Sequence, residues 1–480
     1  MQKLIDQIKH YEKISNLLEP TEEERNGFNK EIQQYANEFI NTIHDRNSFG
    51  NGKVTKGALA LSNNKKRSLA QILDLYTKEV TVHGINPASG GHIGYIPGGG
   101  IFASAIADYL ADITNEYAGM YYASPGAVTI ENEVLDWMKS TFGFPMNSVG
   151  NLTSGGSIAN LIALTAARDH HEIKGDKITR SVIYLSPQVH HCLHKAIRII
   201  GLEDIIIREL KLDAHHRIDP KLLEKLIVAD LNKNLKPFCV IASAGTTDTG
   251  AVDPLDEIAK VSKKFDMWYH VDAAYGGFFI LTESKKSMFL GIEKADSLVI
   301  DPHKGMFLPY GTGAVLVKDK KAVFHSNHYV ANYMQDAFEE GLPLNPADVS
   351  PELTKHFRGL RMWLPLQLHG IEPFVACLEE KLLLTEYFRN QLVELGFKVG
   401  PQPDLSVSYF WYPTKDGDDN TFNKKLMDLI HQDGRIFLSS TVLDGKFVIR
   451  MAILSFRTKI KTIDKAIEMI KDCLKRIPSA

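Results

Sequence analysis

The sequence predicts an α/β protein: a mostly parallel sheet with helices on both faces, preceded by a helical segment and followed by a small α+β unit. Three observations carry this prediction. Short β-branched runs alternate with helical patterns through the middle of the chain, the order that builds parallel sheets. Polar or glycine-containing sequence follows each of the first four runs, and open α/β sheets bind ligands at the carboxyl ends of their strands. On either side of this region the patterning turns helical or mixed.

Residues 1–81 are polar and helix-like, with loop signals at Ser48–Gly52 and Ser62–Asn64. The stretch is too long for a tail and too thin in apolar residues to fold alone, so it is expected to wrap something, a partner subunit being one candidate. Its opening, Met1–Lys9, interleaves charged and apolar residues as an amphipathic helix and lacks the apolar core of a signal peptide. Residues 82–370 form the predicted sheet unit. Ser181–Leu185, Phe238–Ser243, Met267–Asp272 and Ser297–Ile300 are its first four strands, and Gly313–Val317 is a fifth that reads as antiparallel. Residues 371–480 form the small unit: a long helix from Glu372 to Leu395, strands at Leu405–Trp411 and Lys446–Met451, and a final amphipathic helix from Thr462 to Ile477.

At 480 residues the chain exceeds one ordinary domain. Its 44% hydrophobic and 24% charged residues are those of a globular protein, and a net charge of −3 argues against a nucleic-acid or anionic-membrane partner. No stretch approaches the roughly 20 apolar residues that span a bilayer. Cys192, Cys239, Cys377 and Cys473 are widely separated and lack metal-ligand spacing, so a cytoplasmic protein without a metal is expected.

Three short segments carry chemistry. Asp272 ends a strand and precedes Ala273-Ala274-Tyr275-Gly276-Gly277, small residues that let a flat ligand lie close; by itself it reads as well as a local backbone cap. Lys304, in Asp301-Pro302-His303-Lys304 and next to apolar Met306-Phe307-Leu308, is placed for desolvation to lower its pKa and make it an imine-forming nucleophile; by itself it reads as a surface lysine. Thr153-Ser154-Gly155-Gly156-Ser157 opens a helical run, where glycines permit close backbone approach and a helix N-terminus offers free N–H groups to a phosphate; an ordinary N-cap gives the same pattern.

Together with Ser-Pro-Gln-Val-His at 186–190 and Ala-Gly-Thr-Thr at 244–247, these segments resemble the group II pyridoxal 5′-phosphate (PLP)-dependent amino-acid decarboxylases, of the aromatic-L-amino-acid decarboxylase type, from about Thr81 to Ile470. The resemblance implies a fold-type I transferase with a seven-stranded sheet, PLP as cofactor and a homodimer. It implies that Lys304 is the Schiff-base lysine, Asp272 pairs with the pyridinium nitrogen and His190 stacks on the ring, these three being the catalytic residues. Gly156 and Ser157 would hold the phosphate, His303 would support it, Ala274 would pack on the ring face opposite His190, and Thr246 would approach the 3-hydroxyl. Segments 90–98 and 119–125, which help form the substrate pocket in the family, bring His92, Tyr95, Tyr121 and Tyr122; aromatic walls favour an aromatic amino acid, although tyrosines also suit a core or a dimer interface.

Two departures stand out. In many members a tyrosine on a loop before the Phe357–Trp363 motif returns a proton to the α-carbon, yet Leu344–Asp348 contains none, leaving Tyr329 and Tyr333 further upstream as substitutes. The position before Pro302 is Asp301, where better-known members carry asparagine. An anion should not face a phosphate directly, so Asp301 is expected to bond backbone or a cation and is left out of the cofactor set. The expected reaction is decarboxylation of an L-amino acid to amine and CO2, with aromatic substrates ahead of acidic or basic ones. An aldehyde-forming relative is the alternative. A transaminase would need Arg450 or Arg457 to clamp the carboxylate, and a non-catalytic PLP-fold module fits least with Lys304, Asp272 and His190 all present.

Overall fold

The computed structural model describes residues 1–61, 66–328, 343–415 and 417–477. Seven strands form its large sheet: β1 Val149–Thr153, β2 Ser181–Leu185, β3 Ile206–Glu209, β4 Lys236–Ser243, β5 Trp268–Asp272, β6 Ser297–Ile300 and β7 Gly313–Val317. They lie in the order β1-β7-β6-β5-β4-β2-β3. Strands β3, β2, β4, β5 and β6 are mutually parallel, and β7 runs antiparallel to both its neighbours, as its sequence reads. Because β2, β5, β6 and β7 are buried along their whole length, their sequences are continuous apolar runs rather than alternating ones. Tyr184, Val240, Val271 and Leu298 pack on one face with helices Pro125–Phe142, Pro220–Leu231 and Leu255–Lys264. Ile183, Ile241, Val299 and Val315 pack on the other with helices Gly156–His170 and Cys192–Ile199.

Strand register brings the candidate residues to one edge. Asp272 pairs with Ser243 of β4 and with Val299 of β6, while Thr153 of β1 pairs with Gly313 of β7. The carboxyl ends of β1, β4, β5 and β6 and the start of β7 therefore meet. Strands β1 and β3 are absent from the sequence reading. Gly150 and Asn151 weaken the strand signal of β1, and a Cβ on Gly150 would stand 2.8 Å from the Leu135 side chain. β3 is a half-buried edge strand with no clear alternation.

The carboxyl-terminal part holds a four-stranded antiparallel sheet, β8 Lys398–Val399, β9 Val407–Trp411, β10 Ser439–Leu443 and β11 Lys446–Ala452, ordered β8-β9-β11-β10. Helices Glu372–Glu394, Asp419–Asp433 and Ile460–Lys475 bury Phe388, Ile430 and Ile467 against Phe410 and Ile449. Segment 91–94, read with the large unit, is stitched to this part: the Phe437 N–H donates to Gly91 O (2.9 Å), Ile93 N–H to Phe437 O (3.1 Å) and Ala452 N–H to Ile93 O (2.7 Å). Glycine at 94 is required by this approach, since a Cβ there would lie 2.6 Å from the Phe437 ring. Helices Gln2–Ser15 and Glu22–Thr42 bury none of their residues, leaving Leu4, Ile8 and Tyr11 exposed on the first and Phe28 and Ile32 on the second. Among the described residues no helix is long and apolar enough to cross a membrane.

Candidate active site

The turns that follow the strands enclose a cavity of about 580 Å³. Gly156 and Ser157 enter it beyond β1, His190 beyond β2, Thr246 beyond β4, Asp272 and Ala274 at the end of β5, and His303 and Lys304 beyond β6. All eight residues expected at the cofactor thus border one space, although they span about 150 positions of sequence. Of the four expected at the substrate, Tyr95 borders it. His92 is buried behind Tyr95, with ring centroids 6.4 Å apart, and packs on Phe437 at 5.5 Å. Burial lowers its pKa to about 4. Tyr121 is anchored by its N–H, which donates to Asn345 Oδ1 (2.8 Å), and Tyr122 is exposed; in a single chain neither lines the cavity. Tyr329 and Tyr333 lie outside the described residues.

Behind Asp272 runs a directed chain of hydrogen bonds. The Trp268 indole can only donate, and it donates to Ser297 Oγ (2.8 Å). The Ser297 hydroxyl hydrogen is then free to go to His270 Nδ1 (2.8 Å). That leaves the proton of the neutral imidazole on Nε2, which donates to Asn160 Oδ1 (2.8 Å), and Asn160 Nδ2 in turn donates to Asp272 Oδ2 (3.2 Å). Burial holds the His270 pKa near 4, so the ring is neutral at pH 7, as this direction requires. The Ala274 N–H donates to the other oxygen, Asp272 Oδ1 (3.1 Å). Both carboxylate oxygens thus accept hydrogen bonds, which fix the orientation of the carboxyl plane.

Asn160 and His270 are missing from the sequence reading, although two spacings point to them. Asn160 lies one helical turn after Gly156 and so returns to the phosphate-cup end; His270 lies two residues before Asp272, on the same face of β5.

Lys304 Nζ donates to Asp301 Oδ2 (2.9 Å). Burial pushes its pKa down, but the carboxylates of Asp301 and Asp272 push harder, and the net shift is upward. This corrects the expectation of a desolvated lysine with a lowered pKa: the charge of a neighbour outweighs the burial. Asp301, expected to meet backbone or a cation, meets this one. The backbone N–H of Cys192 donates to His190 Nδ1 (3.3 Å), and burial lowers the imidazole pKa, which leaves a neutral ring beside the cavity. The Cys192 thiol is raised to about 12 by burial and stays protonated. Arg450, also absent from the expected site, borders the cavity but spends its donors on Gly94 O (2.9 Å), Asp248 O (3.1 Å), Ser439 Oγ (3.2 Å) and Thr247 O. It ties the Tyr95 segment to the Thr246 turn.

The geometry fits PLP. A Cβ on Gly156 would lie 3.0 Å from Asp301 Oδ2 and 3.3 Å from Ala274 Cβ, so the floor of the cup must be bare backbone, at the N-terminus of a fifteen-residue helix. A phosphate cup, an oriented carboxylate and a lysine amine sharing one cavity match the phosphate, ring nitrogen and aldehyde of that cofactor, and on this sheet they define a fold-type I PLP enzyme. Residues 63–412 match the model of the pyridoxal-dependent decarboxylase conserved domain. The chain belongs to the pyridoxal-dependent decarboxylase family and is a PLP-dependent carboxy-lyase acting on an amino acid. It is 35% identical over 386 residues to an aromatic-L-amino-acid decarboxylase of Bacillus atrophaeus, covering 79% of this chain and 80% of that one. In fold it resembles the Oryza sativa TDC crystallised with PLP and tryptamine, with a TM-score of 0.89, 23% identity and coverage of 95% and 99% of the two chains. It likewise resembles the Rhodiola rosea 4-hydroxyphenylacetaldehyde synthase, with a TM-score of 0.86, 24% identity and coverage of 95% and 99%.

Proposed function

We propose that this protein converts an aromatic L-amino acid to its amine and CO2, with Lys304, Asp272 and His190 as catalytic residues. The observation that carries the reading is the convergence of Lys304, Asp272 and the Gly156–Ser157 cup on one cavity whose wall includes Tyr95, itself 5.3 Å from the Phe437 ring. Bound PLP supplies an electron sink for the pair left on the α-carbon when CO2 departs. Asp272, oriented by its two hydrogen bonds, would pair with the ring nitrogen. Lys304 would hold the aldehyde through its amine until a substrate amine displaces it. Gly156, Ser157 and His303 would hold the phosphate end, neutral His190 and Ala274 would flank the ring, and Thr246 would stand beside the 3-hydroxyl. His92 acts from beneath Tyr95, and Tyr121 and Tyr122 reach substrate only across a dimer.

The dimer is part of the proposal: Leu4, Ile8 and Tyr11, at helical spacing on a helix that buries nothing of its own chain, suit a partner's surface. Four free thiols suit a cytoplasmic setting. A second reading, oxidative conversion to an aldehyde, is favoured by the lack of a tyrosine in Leu344–Asp348. Incubating the loaded enzyme with aromatic, acidic and basic amino acids, with CO2 measured and the carbon product identified, tests both. Amine and CO2 in equal amounts from an aromatic substrate is expected. Aldehyde with ammonia and peroxide would replace it with the second reading, and turnover confined to acidic or basic substrates would overturn the aromatic assignment.

A further inference from the structure

Thr246 borders the cavity, and a second chain of hydrogen bonds runs from its hydroxyl to the small unit. Thr246 Oγ1 lies 2.8 Å from Thr249 Oγ1, and the Thr249 hydroxyl donates to Gln188 Oε1 (2.8 Å). Gln188 Nε2 stands 3.4 Å from His216 Nδ1, and His216 Nε2 lies 2.9 Å from the Tyr409 hydroxyl on β9. Five side chains from four separate stretches of sequence are thus linked end to end. His216 holds its place with a φ of 63°, in the left-handed region that favours glycine, so its ring is put there at a cost to the backbone.

The direction of the chain follows from its members. Burial lowers the His216 pKa, so the ring is neutral and carries one proton. Because the Gln188 amide nitrogen can only donate, His216 Nδ1 accepts and the proton sits on Nε2, which donates to Tyr409. At the other end Thr249 spends its one hydrogen on Gln188, so the Thr246 hydroxyl donates to Thr249, with Gln188 Oε1 at 3.4 Å on the same side. Thr246 Oγ1 also accepts the Ala251 N–H (3.1 Å), and a lone pair is what it has left for the cavity. Each member, however, is a group that can exchange donor for acceptor: hydroxyl, carboxamide, neutral imidazole and phenol. With the Gln188 amide turned over and the imidazole proton on Nδ1, every link runs the other way, all partners stay satisfied, and the Thr246 hydrogen faces the cavity.

We propose, on the reading that PLP places its 3-oxygen beside Thr246, that Thr249, Gln188, His216 and Tyr409 are positioning residues forming a reversible relay, which sets Thr246 to accept or to donate according to the ligand in the cavity. The 3-hydroxyl of PLP ionises readily, and its oxygen can then only accept, so binding calls for the Thr246 hydrogen. Reversal proceeds outward: Thr246 donates to the ligand, Thr249 to Thr246, Gln188 Nε2 to Thr249 and His216 Nδ1 to Gln188 Oε1, while Tyr409 donates to the bared Nε2. The chain gains and loses no proton overall, since the half-buried imidazole releases one from Nε2 and takes one on Nδ1. A network that served the fold alone would keep one direction whether the cavity is filled or empty.

The test uses the full-length, cofactor-free chain with isotope-labelled histidine, titrated with PLP and read by nitrogen NMR; the His216 signals are those missing from His216→Gln. Before PLP the His216 proton is expected on Nε2, and uptake of the cofactor should move it to Nδ1. Thr249→Val cuts the chain: it should still take up PLP with His216 no longer responding, and Thr249→Ser should restore the response. Gln188→Glu offers acceptors alone, which keeps Thr249 as a donor to it and Thr246 as an acceptor, so PLP affinity should fall about tenfold. PLP uptake without a change at His216, a response that survives in Thr249→Val, or full affinity in Gln188→Glu would each overturn the proposal. Uptake is followed in the same titrations, so the two failures are distinguishable: a wild type that takes up no PLP overturns the cofactor reading and the relay together, whereas uptake with a silent His216 overturns the relay alone.

Discussion

Asp272 and Lys304 show how a neighbour sets a side chain's chemistry. The carboxylate is aimed by Asn160 on one oxygen and by the Ala274 N–H on the other, so its charge is placed before any ligand arrives. Asp272→Asn should leave PLP on the enzyme but lower kcat by about 10²-fold or more, as loss of a preorganised electrostatic group does; absorbance and steady-state rates measured on the same sample check this, and an unchanged kcat would remove Asp272 from the mechanism. Lys304, Asp272 and His190 were legible in the sequence because each sits in a short motif behind an apolar strand. The Asp301–Lys304 pair was not, because three residues of spacing say nothing about which of two opposing effects, burial or a nearby carboxylate, decides a lysine's charge. The sequence reading followed burial, and the neighbouring charge prevails.

At the scale of elements, β5 carries both Asp272 and the chain that orients it. His270→Ala would leave the Ser297 hydroxyl hydrogen and Asn160 Oδ1 without their buried partner and is expected to cost about 3 kcal/mol, read as a lowered midpoint in denaturant. His270 also imposes a pH dependence. Its pKa falls from about 6.5 in the unfolded chain to about 4 in the fold, so folding favours the neutral ring. The stability this contributes is present above about pH 6.5 and is lost as pH falls towards 4. Buried His92 adds in the same sense. Denaturation midpoints should be level from pH 7 to 8 and fall between pH 6.5 and 4, less steeply in His270→Ala; an equal slope in the two proteins would contradict this account. A second buried device is the Glu131–Lys355 pair, 2.5 Å apart and wholly buried, in which Glu131 also accepts the Leu152 N–H of β1. Lys355→Met should destabilise the fold by about 3–5 kcal/mol, because it leaves a buried charge alone. Five of the seven large-sheet strands were legible from apolar runs. β1 and β3 were not, one because glycine and asparagine serve packing there, the other because it lies at the edge.

For the whole molecule, sheet order explains how motifs so far apart in sequence meet: every parallel strand delivers its following turn to the same edge, where Gly313 of antiparallel β7 also begins. Subunit association is the molecular-scale prediction. Light scattering should give twice the 53.7 kDa chain mass, and Leu4→Glu with Ile8→Glu should shift the protein towards monomer while the fold persists; a wild-type monomer would remove the dimer from the proposal. The central claim, that the cofactor is held at Lys304 in a cavity built from the strand ends, has a direct test. The PLP-loaded protein is reduced with borohydride, digested and mapped by mass spectrometry. A pyridoxyl phosphate adduct on Lys304, absent from Lys304→Ala, is the predicted result; an adduct on another lysine, or none, would contradict the account.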